Sequence, residues 1–204
     1  NNHKNKIMKI KEKINILEKK LNEEIKLKDL LYEQGKPLEN AVIKALKILG
    51  YEAENFDNGE LEMDQVIISP DKYRYIGECE GKDNKAININ KFRQLVDCLN
   101  ADFNREDVDE KAFGILFGNP ERLKDPKERS LDFTVKCKKG AARERIALIK
   151  TIDLFKVAKY LYENNDENFK KKCRESIHFY LGNIVIFPDL PGNNYEWLSR
   201  KIHS

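Results

Sequence analysis

Apolar residues in the first thirty positions recur at spacings of three and four: Ile7, Ile10, Ile14, Leu17 and Leu21. This is the a/d seam of a heptad, and it predicts a helix. The next seam positions fall on Glu24 and Lys28, so the seam lasts barely two heptads. It predicts either the end of a longer coiled coil that dimerises or tethers the domain, or one amphipathic helix packed on it. Residues 1–33 are read as this coiled-coil-like helix and residues 34–204 as a globular domain.

From Gly35 the pattern changes. Pro37 is tolerated in a first helical turn, and Leu38, Val42, Ile43, Ala45, Leu46 and Leu49 form an apolar face that ends at Gly50. Tyr51 to Phe56 predicts a short strand, followed by the turn signal Asp57-Asn58-Gly59. Leu61 to Ser69 and Tyr73 to Gly81 read as two strands of a hairpin around Pro70-Asp71. Ile87 to Leu99 predicts a helix with Ile89, Phe92, Leu95, Val96 and Leu99 on one stripe, and Ala112 to Phe117 a buried strand. Next come a helix carrying Phe133, Cys137 and Ala141, a strand at Ile146 to Ile149 and a helix opening at Thr151. A charged helix around Asn168 to Tyr180, a strand at Ile184 to Phe187 and a polar tail complete the chain. Strands alternating with helices imply parallel pairing, and the hairpin adds an antiparallel pair. The predicted class is α/β, with a mixed central sheet flanked by helices.

With 204 residues the chain can bury a core without disulfides or a structural metal. Cys79, Cys98, Cys137 and Cys173 include no CxxC pair, so they read as free thiols in a reducing cytoplasm. No apolar run approaches the roughly 18 residues of a membrane span, which predicts a soluble protein with no membrane partner. The chain begins on Asn1 and not Met, which points to a piece of a longer chain or to a processed one, and leaves room for a domain upstream. The 38 Lys and Arg against 35 Asp and Glu leave a net charge of +3, too near zero to identify a partner.

Candidate chemistry is concentrated on the hairpin. Alternate side chains of a strand share a face, so Glu78, Glu80 and Lys82 point the same way, with Asp64 across the turn. Two like charges about 4 Å apart repel by about 4 kcal/mol at an effective dielectric of 20, and one lysine offsets only part of three carboxylates. A divalent cation or raised carboxylate pKa values must supply the rest. Hard oxygen ligands suit Mg2+ or Mn2+ and not zinc. Such an ion polarises a phosphoryl oxygen and generates a nucleophile from water, which points to phosphodiester hydrolysis. Acidic-x-Lys triplets alone say little: this sequence holds six, and only Glu80-Gly81-Lys82 ends a predicted strand. An exposed hairpin face of solvated charges is the competing reading.

The order helix, strand, Asp strand, Glu-x-Lys strand, helix, strand, helix, strand resembles the PD-(D/E)xK nuclease superfamily, the restriction-endonuclease-like fold, and within it the Mrr-like branch. The likeness is carried by the helix Gly35 to Leu49 with Glu39, by Asp64, by Glu80-Gly81-Lys82, and by Gln94 in Phe92-Arg93-Gln94-Leu95. It spans roughly Gly35 to Phe155. Met63 stands where the name of the superfamily has proline. The resemblance implies that Asp64 and Glu80 bind the catalytic Mg2+ or Mn2+, with the Gly81 carbonyl as a further ligand. It implies that Lys82 positions or activates the attacking water and that Glu39 holds a metal-bound water or second ion. Gln94 would contact the phosphate backbone or support Lys82. Glu78 has no fixed role in it.

The expected activity is that of a metal-dependent endonuclease acting on DNA. The rivals are a catalytically degenerate domain of the same fold that binds nucleic acid or a protein, and a coiled-coil-tethered interaction module. Lys136, Lys138, Lys139, Arg143 and Arg145, with Lys91 and Arg93, offer positive charge for phosphates. Tyr73 and Tyr75 are expected to pack on the face opposite Glu78. His178 and His203 are too isolated to form a site.

Overall fold

The structure, a computed structural model, describes residues 2–192. Helix α1 (Asn2–Tyr32) is continuous, but its apolar stripe changes function along its length. Ile7, Ile10, Ile14, Leu17 and Leu21 are all between 48 and 60% exposed, so none of the described residues covers the seam. Past Glu24 the stripe rotates to Leu27, Leu30 and Leu31, which are buried against α2 (Gly35–Ile48) and α5 (Thr151–Asn164). Lys44 of α2 ties the two parts together, reaching the Glu23 carboxylate at 2.5 Å and its carbonyl at 2.6 Å. The exposed seam and the core-packing stripe thus share one helix.

In α2, Leu38, Ala41, Val42, Ala45 and Leu46 make the buried stripe expected from spacing. Gly50 ends it with φ of 90°, a conformation L side chains rarely adopt. Five strands follow: β1 (Glu52–Asp57), β2 (Glu62–Ile68), β3 (Arg74–Gly81), β4 (Phe113–Asn119) and β5 (Ala147–Lys150). They lie side by side in sequence order, β1 to β3 antiparallel and β3 to β5 parallel. The sheet is mixed, as the hairpin and crossovers predict. One face carries α1, α2 and α5 over Ile67, Tyr75, Cys79, Ile115, Phe117 and Ile149, with α6 (Glu167–Phe179) completing that layer. The other packs α3 (Ile89–Phe103) and α4 (Val135–Glu144) over Ile76, Leu116 and Leu148.

Three boundaries depart from the sequence pattern. Ile87 and Phe133 lie outside helices and form an isolated bridge; α3 starts after Asn88, whose side chain accepts from the Asn90 N–H, and α4 starts after Thr134, which caps Cys137. The expected strand Ile184 to Phe187 is absent. Its only ladder contact is a bridge from Ile184 to Leu148, with hydrogen bonds from Leu148 N to Asn183 O and from Val185 N to Leu148 O. Pro188 then removes a donor and restricts Phe187, so pairing stops. Among the described residues no helix is long and apolar enough to cross a membrane.

Candidate active site

The β2–β3 ladder runs from Ile68↔Arg74 to Gln65↔Gly77, and Asp64 lies one step beyond its last pair. There the side chain replaces a backbone acceptor: Asp64 Oδ2 accepts from the Cys79 N–H at 2.9 Å. Asn55 of β1 holds the Asp64 carbonyl at 2.5 Å. The carboxylate is thereby fixed against the middle of β3, next to Glu78.

Glu78 is fully buried, on the sheet face covered by α3. The helix presents two residues to it at a seven-residue spacing, Lys91 and Cys98, which lie on one face of the helix. The Lys91 ammonium stands 2.6 Å from Glu78 Oε2 and 3.5 Å from Asp64 Oδ2. The Cys98 thiol donates to Glu78 Oε1 at 3.7 Å; burial, then the Glu78 charge, pushes that thiol up to about 12, so it stays a donor. Burial and the charge of Asp64 raise Glu78 to about 7 despite Lys91. Burial also works against the Lys91 ammonium, but Glu78 and Asp64 outweigh it and hold Lys91 above the ordinary lysine value. Lys91 further donates to Gln94 Oε1 at 3.2 Å. Two carboxylates and one ammonium form a tight group one turn into α3.

The Glu-x-Lys triplet lies alongside. Glu80 faces the same layer as Glu78 and pairs with Lys82 at 2.7 Å, while its Oε2 is buried without a hydrogen-bond partner. The backbone of Lys82 is clamped, its N–H donating to Asn119 O and its carbonyl accepting from Arg122 N–H. Gly81 turns to the opposite layer, against Gln34 and Glu33. Glu39 is bound to Lys36 at 3.1 Å at the start of α2. Its charge still reaches Cys79, whose thiol is raised well above its usual value first by burial, then by Asp64, then by Glu39 and Glu78. Glu39 makes no bond to the group among the described residues.

Of the expected residues, Asp64 and Gln94 meet through Lys91, Glu80 and Lys82 pair with each other, and Glu39 and Gly81 belong to the other layer. Among the described residues no three His, Cys, Asp or Glu side chains converge on one metal position. The donor set nevertheless fits a hydrated Mg2+ or Mn2+ ion, which needs only one or two carboxylates. Asp64 Oδ2 and Glu78 Oε2 already converge on one cation, the Lys91 ammonium, and Glu80 has an unpartnered buried oxygen. The full engagement of Glu78 and Lys91 was the part sequence reasoning missed. Strand alternation puts Glu78 on the face of Glu80, but nothing in the spacing of Lys91 brings it to both carboxylates.

Of the basic run, Lys138 is paired with Asp132 and Arg143 with Glu144, and Arg145 lies over Phe113, while Lys136 and Lys139 project into solvent. His203 lies outside the described residues.

A mixed five-stranded sheet between helical layers, with acidic residues at the β2–β3 hairpin, is the restriction-endonuclease-like fold. Its likeness to the solved structure of the restriction endonuclease FokI shows the same: the TM-score is 0.53 at 12% identity, over 78% of this chain and 30% of that chain. The chain thus spans less than a third of that neighbour. No protein-family model matches the sequence, and no curated protein is similar to it.

Proposed function

We propose that the chain is a divalent-metal-dependent endonuclease that hydrolyses phosphodiester bonds of DNA. The observation that carries this reading is the buried pair of carboxylates, Asp64 and Glu78, held around a single ammonium on the hairpin of a restriction-endonuclease-like sheet. A surface of merely solvated charges would leave these groups in water, whereas Glu78 is fully buried. Asp64 and Glu78 would hold the Mg2+ or Mn2+ ion, with Glu80 beside them on the same strand face. When bound, such an ion polarises a phosphoryl oxygen and lowers the pKa of a coordinated water. The protein's own groups orient that chemistry. The Cys79 N–H and the ladder fix Asp64, Cys98 and Lys91 fix Glu78, and an ammonium next to both steadies charge developing on the phosphate. Lys136 and Lys139 are available to the DNA backbone.

The test is cleavage of supercoiled plasmid and of labelled duplex oligonucleotides with Mg2+ or Mn2+, against a chelator control. Cleavage by the wild-type chain and its loss by at least about a hundredfold in Asp64→Asn and Glu78→Gln is the expected result. DNA binding that survives chelator, with no cleavage under either metal, would instead establish a binding domain of the same fold.

A further inference from the structure

We propose that Lys91 of α3, and not Lys82 of the Glu-x-Lys triplet, is the working lysine of this site, and that it shares Asp64 and Glu78 with the divalent cation. This deepens the nuclease reading and rests on it for the chemistry, though not for the assignment of the lysine.

The geometry separates the two lysines. Lys82 has one carboxylate partner, Glu80, and among the described residues it forms no ion pair with Asp64 or Glu78, whose partner is Lys91. The Lys91 ammonium stands beside three oxygens of the site: it donates to Gln94 Oε1 at 3.2 Å and forms ion pairs with Glu78 Oε2 at 2.6 Å and Asp64 Oδ2 at 3.5 Å. Two of those oxygens are the hard donors a Mg2+ or Mn2+ ion would take. The third belongs to Gln94, on the same helix, and stays with Lys91 when the carboxylates are given up. Gln94 is thus a positioning residue that keeps the ammonium beside the ion.

Lysine and metal must then compete for the same carboxylates, which gives a test that needs no cleavage. Mn2+ is titrated calorimetrically into the full chain, its Lys91→Gln variant and its Lys82→Gln variant. Lys91→Gln is expected to bind Mn2+ about tenfold tighter or more, because a positive charge is removed from beside the ion, and Lys82→Gln to differ from wild type by less than about twofold. Unchanged or weaker binding in Lys91→Gln, tighter binding in Lys82→Gln, or no Mn2+ binding by wild type and Lys91→Gln alike would each overturn the proposal. Removing Lys91 leaves Glu78 buried without its counter-charge and threatens folding, so the wild-type chain carries a second readout. With isotope-labelled lysine, the Lys91 side-chain NMR resonance, assigned through Lys91→Arg, should move on Mg2+ addition while that of Lys82 stays. The reverse pattern, or movement of neither, overturns the assignment. Absence of DNA cleavage alongside the expected metal results would remove the nuclease reading and leave the lysine assignment standing.

Discussion

Gly81 and Gln34 meet with no room for a side chain between them: a Cβ on Gly81 would stand 2.5 Å from the Gln34 Cβ, 3.0 Å from the Glu33 carbonyl and 3.1 Å from the Gln34 Cα. Two of these three obstacles are backbone, so no rotamer change relieves them. The end of β3, where the Glu-x-Lys triplet lies, is thus pressed onto the junction between α1 and α2. Gly81→Ala is expected to destabilise the fold by about 1 to 3 kcal/mol through overpacking. Urea denaturation followed by circular dichroism checks this, and a loss below about 0.5 kcal/mol would show that the junction yields freely.

The same junction is held from the other side by a polar clamp. Arg129 donates to Leu31 O at 2.6 Å and to Asn119 Oδ1 at 2.8 Å, Arg122 donates to Tyr32 O at 2.8 Å, and Asn119 donates to Glu33 O at 2.9 Å. Leu31 O, Tyr32 O and Glu33 O are carbonyls at the end of α1, where a helix has no N–H donors of its own left to meet them. Arg129→Ala should cost about 2 to 3 kcal/mol, since bonds to a charged donor are lost and the carbonyls stay partly buried. Amide hydrogen exchange should accelerate at Glu33, whose N–H closes the last turn onto Asp29 O, before it does in β3 or β4.

His178 supplies a pH dependence away from the candidate active site. It stacks on Tyr73 at 3.7 Å between ring centroids, lies edge-on to Phe113 at 5.2 Å, and pairs its Nδ1 with the Tyr75 hydroxyl at 3.0 Å. Burial first, and then the nearby Arg145 charge, lower its pKa from the usual 6.5. The unfolded chain therefore takes up the proton more readily than the folded one, so the histidine's contribution is complete above pH 6.5 and is lost as pH falls below it. Melting temperatures measured from pH 8 to pH 5 should show the advantage of wild type over His178→Phe shrinking below pH 6.5. Comparison with the variant cancels groups titrating elsewhere, Glu78 among them. A constant difference across the range would refute the linkage.

Local chemistry made most of the architecture legible. The stripe from Leu38 to Leu46 with Gly50 behind it specifies α2, and the Pro70-Asp71 turn between two β-rich runs specifies the hairpin that brings Asp64 to Glu78. Strand periodicity likewise placed Glu78, Glu80 and Lys82 on one face. Lys91 could not be found this way, because its contact depends on how α3 packs over β3 after an intervening turn. Arg129 escaped for the same reason at greater range, since its targets on α1 are fixed only by tertiary docking. The supposed strand at Ile184 to Phe187 shows the converse error: an apolar run with β propensity meets the edge of β5 at a single bridge, Ile184 to Leu148, before Pro188 ends the pairing.

Helix α1 offers the sharpest contrast between two stretches of one element. Leu27, Leu30 and Leu31 are inside the core, while Ile7, Ile10, Ile14, Leu17 and Leu21 form a heptad seam that none of the described residues covers. Deleting residues 1–21 should therefore leave the unfolding free energy of the monomer within about 1 kcal/mol of its full-length value, since no core contact is removed. Leu30→Ala should cost about 2 to 5 kcal/mol, as expected when a fully buried leucine is truncated. If the seam is covered by a second copy, as its a/d spacing suggests, the full chain sediments as a dimer at micromolar concentration and the shortened chain as a monomer. A full chain that remains monomeric up to about 100 μM would restrict α1 to its inner half, with the seam a solvated face that binds no second copy.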